Sequence, residues 1–451
     1  MKIALFVHCF YPTHIYGTET YTLELARNLQ ALGHAPTVVS ATFAGEPGQS
    51  EKVDRYEFEG IPVVCLDKNH WPNTRVKDTY YQPELGPVLD AILAELDPDL
   101  VHVTHLVNHT AALLEATQRR GVPTLATFTD FFGFCYNNRL EAHSGGLCAG
   151  PQPIAVNCLA CHLKASAAAG RGLRDTVTSS AMGAGLAARA MYIVQRFPGA
   201  RTGPIAGLVQ DVVQRPRILA ALYRQYRVAI APTAFIEHAY RRNGFSQPMT
   251  RIAFGTDIDR SPKRVHDQPL KLGFIGQIMS HKGPDLLMRA ARSALAGVDY
   301  EILVYGSESQ DPAYAASLRQ DAEGLPVRFC GTFDRTTMRA VLETLDFVVI
   351  PSRWYENSPL VLLNALATHT PVIISDVEGM TEFVRDGVNG FVFERGSVTS
   401  LATVLSRIAR DPVAARALTS TTEYSMTTRS MAEHTVRLYE TLLPVPHAAP
   451  A

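Results

Sequence analysis

Residues 353–375 read RWYENSPLVLLNALATHTPVIIS and gather groups suited to recognising phosphate and hydroxyls. Glu356, Asn357 and Ser358 lie in a polar loop, and the Glu356 carboxylate can accept hydrogen bonds from hydroxyls. Pro359 suits the first turn of a helix, where its missing N–H costs nothing. Leu360, Leu363, Leu366 and Ala367 give that helix an apolar face. The run FVVIP before the loop reads as a buried strand, and PVII after the helix as the next one. A strand end feeding a helix start offers free backbone N–H groups and the positive end of a dipole, both suited to a phosphate. Diphosphate together with hydroxyls describes a nucleotide-sugar.

Two further groupings could do chemistry. Four of the seven cysteines, Cys135, Cys148, Cys158 and Cys161, fall in one stretch, the last pair as C-x-x-C. Gly145-Gly146 and Gly150-Pro151 supply tight turns. Four thiolates at mixed spacing suit a structural zinc that fixes a loop lacking its own core. An iron–sulfur cluster suits less, since nothing else implies redox chemistry. Disulfides or unliganded thiols are the plain alternatives. Cys9, Cys65 and Cys330 sit in apolar runs and are expected in the core. Residues 171–227 carry nine arginines against Asp175 and Asp211. Met191, Tyr192, Ile193, Val194, Phe197, Leu208, Val212 and Val213 alternate among them. This pattern suits an anionic membrane or a lipid-diphosphate acceptor. Surface helices with solvated arginines are the plainer reading.

The elements that must position these groups alternate. The first half reads as strand 2–8, helix 18–32 ending at Gly33, strand 36–40, helix 88–96, strand 100–103, helix 111–120 and strand 123–128. The pattern breaks at 131–227 and resumes with strand 228–231. A loop through 255–257 and the polar run 260–268 read as a linker. The second half reads as strands 270–275, 300–304, 327–329, 347–350, 372–374 and 390–393, with helices 284–295, 336–345, 360–367 and 398–410. Repeated β-α-β units argue for α/β domains with doubly wound parallel sheets. Three segments are expected. Residues 1–258 form a first domain carrying the 131–227 insertion. Residues 259–428 form a second domain carrying the Glu356 segment. Residues 429–451 form a last helix and a disordered Pro/Ala tail.

At 451 residues the chain suits two domains, each able to bury a full core. The net charge is −1, with 42 basic and 43 acidic residues, which gives no case for nucleic acid. The start reads as a strand rather than a signal peptide. No apolar run approaches the roughly 18 residues that span a bilayer. A cytoplasmic protein with reduced thiols is expected, and peripheral contact at the inner membrane face through the insertion is the alternative to solvated surface helices.

Several fragments together carry a family resemblance: Gly17-Thr18-Glu19 after the first strand, DLVH at 99–102, TFTD at 127–130, GTD at 255–257, GQIMSHKG at 276–283, Tyr305-Gly306, the Glu356 segment and GMTEFVRDGVNG at 379–390. In order and spacing the chain resembles the family 4 retaining glycosyltransferases. These have two facing Rossmann-like domains with a cleft between them, the GT-B architecture. The resemblance implies sugar transfer from a nucleotide-sugar donor to a glycan or lipid-linked acceptor, in cell-surface polysaccharide synthesis. It implies that Lys282 meets the donor diphosphate and Glu356 the hydroxyls of the transferred sugar. Backbone N–H groups of Ser358 and Leu360 would hold phosphate. Gly17, Gln277, Asn357, Asn364 and Glu382 complete the implied donor site. Lys282 as a solvated loop lysine, Glu356 and Glu382 as helix-start acids and Gly17 as a turn glycine are the plain alternatives. Asp130, at a strand end, is a candidate catalytic acid or equally a structural one.

Three positions depart from the family pattern. Asn364 stands where a second glutamate is usual, Gln277 where arginine is common and Thr129 where histidine is common. An amide has one acceptor oxygen where a carboxylate has two, so ribose recognition would change. Gln277 leaves Lys282 to carry more of the phosphate charge. The resemblance implies front-face attack, with the departing diphosphate oxygen taking the acceptor proton. No acidic cluster at metal spacing accompanies the phosphate site, which fits a metal-independent reaction, and no redox cofactor is expected. A nonenzymatic donor-binding relative and a sugar-nucleotide epimerase on a similar fold are the competing readings. A nicotinamide dehydrogenase is disfavoured because the first loop lacks G-x-G-x-x-G.

Overall fold

Runs of Val, Ile, Leu and Phe pair into two separate sheets in the computed structural model, which describes residues 1–48, 51–167, 173–197, 203–264 and 269–443. The strands of the first are β1 (Lys2–Phe6), β2 (Ala35–Thr42), β3 (Val53–Phe58), β4 (Ile61–Asp67), β5 (Leu100–Val103), β6 (Thr124–Thr127), β7 (Val228–Ala231) and β8 (Met249–Arg251). Their order is β3-β4-β2-β1-β5-β6-β7-β8, parallel except for the β3–β4 pairing. The second sheet holds β9 (Leu270–Ile275), β10 (Tyr300–Tyr305), β11 (Val327–Gly331), β12 (Phe347–Ile350), β13 (Val372–Ser375) and β14 (Gly390–Phe393). It is wholly parallel, in the order β11-β10-β9-β12-β13-β14. Both orders reverse direction beside their first strand, at β1/β5 and at β9/β12. Loops leaving such a switch point diverge and open a crevice at the strand C-termini.

Fifteen helices are described. They are α1 (Gly17–Ala31), α2 (Gly86–Leu96), α3 (Ala112–Arg119), α4 (Val156–Ala167), α5 (Leu173–Ser179), α6 (Ala181–Val194), α7 (Pro204–Leu222), α8 (Ala234–Arg242), α9 (Pro284–Ala294), α10 (Pro312–Asp321), α11 (Met338–Glu343), α12 (Leu360–Ala367), α13 (Val398–Arg410), α14 (Pro412–Ala417) and α15 (Thr428–Glu440). The chain divides into two compact units. The first is Met1–Ala253 together with the segment from Thr428, and the second is Phe254–Thr427. Each is an α/β unit of the doubly wound, Rossmann-like kind, and the pair is the GT-B pattern of domains.

In the second unit, both sheet faces are covered. Leu272, Phe274, Leu287 and Leu405 pack on one side, while Val348, Leu362, Leu366 and Ile374 pack on the other. In the first unit, α15 is integral. Tyr439 is fully buried, and its hydroxyl meets His102 Nδ1 of β5 at 2.6 Å. The insertion builds a small core of its own, in which Cys158, Leu159 and Leu163 of α4 meet Ala184, Ala188, Val209 and Val212 of α6 and α7.

The β3–β4 hairpin and α10 are absent from the sequence reading. The hairpin's outer strand, VDRYEF, alternates polar and half-buried residues at the sheet edge, so its apolar signal is weak. Residues 255–264, read as a linker, are tied into the second unit. Arg260 donates to the carbonyls of Thr256, Tyr424 and Met426, and the Lys263 ammonium reaches Leu345 O, Leu342 O and Thr370 Oγ1. The rest of that polar run, 265–268, lies outside the described residues, as do Arg171, Arg201 and the 444–451 tail.

Candidate active site

Three loops of the second unit meet at the C-terminal edge of its sheet. Gly306 follows β10, and a Cβ there would lie 2.1 Å from Gly276 O after β9. Gly283 has φ +71° and caps α9, and a Cβ there would lie 2.2 Å from Pro351 O. The loop bearing Lys282 can therefore dock directly on the end of β12, which only a left-handed glycine permits. Arg353 reinforces this junction. Its guanidinium holds Asp285 with two bonds, of 2.8 and 2.6 Å, and its N–H donates to His281 O.

This packing brings Lys282 and Glu356 together. Glu356 is buried, and its Oε1 accepts from Lys282 Nζ at 2.7 Å, Ser352 Oγ at 2.6 Å and Trp354 Nε1 at 3.0 Å. The Trp354 ring lies 3.5 Å from that of His281, and Lys282 Nζ sits 5.3 Å from its centroid. Lys282 is thus paired with Glu356 in this structure and is not a solvated loop lysine. Gly379 packs on the main chain of Glu356: a Cβ there would fall 1.6 Å from the Glu356 carbonyl oxygen.

Ser358 adopts φ +50° and is buried, and its Oγ has no hydrogen-bond partner among the described residues. Such an orphaned hydroxyl at a strained backbone position is free to hydrogen-bond a ligand. Pro359 is the N-cap of α12, one residue earlier than expected, and Leu360 begins the helix. Asn364 and Gln277 are half-buried, and neither hydrogen-bonds to Lys282 or Glu356. Glu382 is exposed in the turn after Gly379.

In the first unit, the sequence pointed to Asp130 and Gly17. Asp130 Oδ2 accepts from His105 Nε2 at 2.9 Å and Oδ1 from Phe132 N at 2.9 Å. Burial alone would lower the His105 pKa, but the Asp130 carboxylate outweighs it and raises the net value. Thr129 donates to Thr104 O. A Cβ on Gly17 would meet nothing within 4 Å among the described residues.

A second acid–histidine pair went unread. Buried Glu19 lies 3.1 Å from His8 Nε2 and accepts from Cys9 Sγ at 2.9 Å. The rings of His8 and His105 sit 4.2 Å apart. His8, Cys9 and Glu19 are the one group of three or more potential metal ligands within 4.8 Å of one another among the described residues. Glu19 stood in the sequence only as the third residue of a motif, and His8 and His105 carried no local signal.

The four cysteines of the cluster are neighbours, since the thiols of Cys135, Cys148 and Cys161 all act on Cys158. Cys158 and Cys161 lie on α4 with an apolar core beneath them, so the segment is not the coreless loop expected. No three of the four thiols lie within 4.8 Å of one another. Cys135 Sγ donates to Asn137 Oδ1 and Cys161 Sγ to Glu141 O. Burial, together with the neighbouring thiols, pushes Cys161 up to about 12. Cys330, expected in the core, is half-exposed on the edge strand β11.

Each unit matches one family model. Residues 269–411 match the glycosyl transferases group 1 model, and residues 15–144 match Glycosyltransferase Family 4. The fold is that of solved GT-B structures. Sucrose-phosphate synthase from Thermosynechococcus elongatus aligns with a TM-score of 0.64 at 16% identity, over 98% of each chain. Anabaena HepE in complex with UDP-glucose aligns with a TM-score of 0.63 at 14% identity, over 98% of this chain and 100% of that one. Among curated relatives, D-inositol 3-phosphate glycosyltransferase of Mycobacterium marinum is 32% identical over 168 residues. That stretch is 36% of this chain and 34% of that protein. An uncharacterised glycosyltransferase of Methanocaldococcus jannaschii is 30% identical over 152 residues, 33% of this chain and 37% of its own. The chain therefore matches little more than a third of either relative's length. Fold and site define a GT-B protein. The two model matches place the chain with the glycosyltransferases related to group 1 and family 4.

Proposed function

We propose that the protein is a retaining glycosyltransferase that moves a sugar from a nucleotide-sugar to a glycan or lipid-linked acceptor. Its setting is cell-surface polysaccharide synthesis at the cytoplasmic side of a membrane. The observation that carries this is the Lys282–Glu356 pair, held at 2.7 Å beside the N-terminus of α12. On donor binding, Lys282 turns to the diphosphate, where the α12 N-terminus and Ser358 also face it. Glu356 then accepts from hydroxyls of the transferred sugar. The anomeric C–O bond to the diphosphate breaks as the acceptor oxygen bonds to the same carbon, and the acceptor proton passes to the leaving diphosphate oxygen. The protein supplies positioning and charge on the leaving side.

A second reading, a donor-binding relative without turnover, rests on Asn364, Gln277 and Thr129, which stand where the family pattern has glutamate, arginine and histidine. A nucleotide-sugar panel separates the two. Trp354 touches Glu356, so its fluorescence in a Trp71→Phe background reports occupancy. Selective quenching together with released nucleoside diphosphate supports the transferase; saturable quenching without turnover supports the binder.

A further inference from the structure

We propose that α6 docks the protein on an anionic phospholipid surface. Only Ala184 and Ala188 of this 14-residue helix are buried. On the opposite face, Met182 is 77% exposed, Leu186 59% and Ile193 56%, and Phe197, just past the helix end, is 63% exposed. These positions recur at one-turn and two-turn spacing, so at 3.6 residues per turn they form a single stripe. The carbonyl of Val177 lies against Gly183, which puts α5, with its exposed Val177, beside the start of the stripe.

Large apolar side chains exposed in a row on a soluble face mark an interaction surface. Charge selects the partner. Arg189 and Arg196 are exposed along one edge of the same stripe. Residues 176–210 contain no Asp or Glu. Apolar side chains at acyl depth with arginines at the phosphate level are the pattern of a helix lying in an anionic interface. No described helix is long and apolar enough to cross a membrane, so the contact is peripheral. The inference stands apart from the donor assignment, since it uses no residue of the second unit.

The test is cosedimentation of the full chain with vesicles of phosphatidylglycerol and phosphatidylcholine, and with phosphatidylcholine alone. Binding to the anionic vesicles is expected, at least tenfold weaker on phosphatidylcholine and weakened by salt. Leu186→Asp/Ile193→Asp should reduce it at least tenfold with an unchanged melting temperature, because both side chains are exposed. Arg189→Gln/Arg196→Gln should reduce it severalfold and flatten the salt dependence. Equal binding to both vesicle types, or undiminished binding of the Asp variant, overturns the proposal. Absence of vesicle binding together with a concentration-dependent dimer that the Asp variant dissolves overturns it in favour of self-association. Donor-induced Trp354 quenching is unaffected by any of these outcomes, so failure here leaves the transferase reading standing.

Discussion

The two units place charged groups at the same point of the same kind of sheet, yet they build them differently. In the second, Lys282 and Glu356 come from two neighbouring loops and converge on one carboxylate oxygen. In the first, Glu19–His8 and Asp130–His105 come from α1 and from the segments after β1, β5 and β6, and the two imidazoles lie 4.2 Å apart at a tilt of 37°. The second arrangement leaves Ser358 Oγ without a partner and has a cation that a ligand can recruit. The first satisfies Asp130 but leaves His8 Nδ1 and Glu19 Oε2 without partners among the described residues. A pair carried on two contiguous loops and pairs gathered from four separate segments call for different experiments.

The largest expected effect is at the glycine that closes the second site. Gly379→Ala forces a Cβ into Glu356 O at φ +84° and should cost about 3–4 kcal/mol. Chemical unfolding followed by Trp354 measures it. A cost under about 1 kcal/mol would mean that the carbonyl contact does not constrain the loop.

Acid should separate the units next. Burial pushes His102 to about 3 and His109 to about 4, and lowers His8 through burial and the nearby His105, His109 and His14. Groups that are neutral when folded but take protons when unfolded add stability that is complete above the unfolded value of 6.5 and falls as pH drops below it. His105 is shifted the other way and offsets part of this below its raised value. A net loss of about 3 kcal/mol by pH 5.5 is expected in the first unit, at about 1.4 kcal/mol per histidine per pH unit before that offset. Trp71 and Trp354 report one unit each, and a Trp71 transition insensitive to pH would break the contrast.

Lys282→Ala should weaken donor binding by about 2 kcal/mol, the worth of a charge-assisted phosphate contact. The fold should hold, because Ser352 and Trp354 still donate to Glu356. Titration of a nucleoside diphosphate against Trp354 emission checks it; unchanged affinity removes Lys282 from the site. The smallest effect is Tyr439→Phe, which removes the bond to His102 and should cost the first unit about 1 kcal/mol. A loss read by Trp354 instead of Trp71 would contradict the placement of α15 in the first unit.

The contrast between the units also explains what was legible. Hydrophobic runs and glycine punctuation set both sheets, because strand periodicity and turn chemistry are local properties of the chain. The same locality made the second site readable: residues 351–360 form one contiguous loop, and GQIMSHKG another. The acid–histidine pairs of the first unit had no such signal. His8, Glu19, His105 and Asp130 are scattered over the first 130 residues, and only the parallel order β2-β1-β5-β6 makes neighbours of the loops that carry them. The cysteines show the converse. Their clustering is local and the four thiols stay neighbours in the fold, but α4 with its own core and the loop before it decide how near any three of them come. Sequence by itself determined the two α/β units and singled out Lys282 and Glu356 as candidates. Tertiary structure decided that these two residues pair, that α15 completes the first core, and that one face of α6 is left apolar and open. Pairing and exposure depend on which distant surfaces meet, and neither periodicity nor residue type records that.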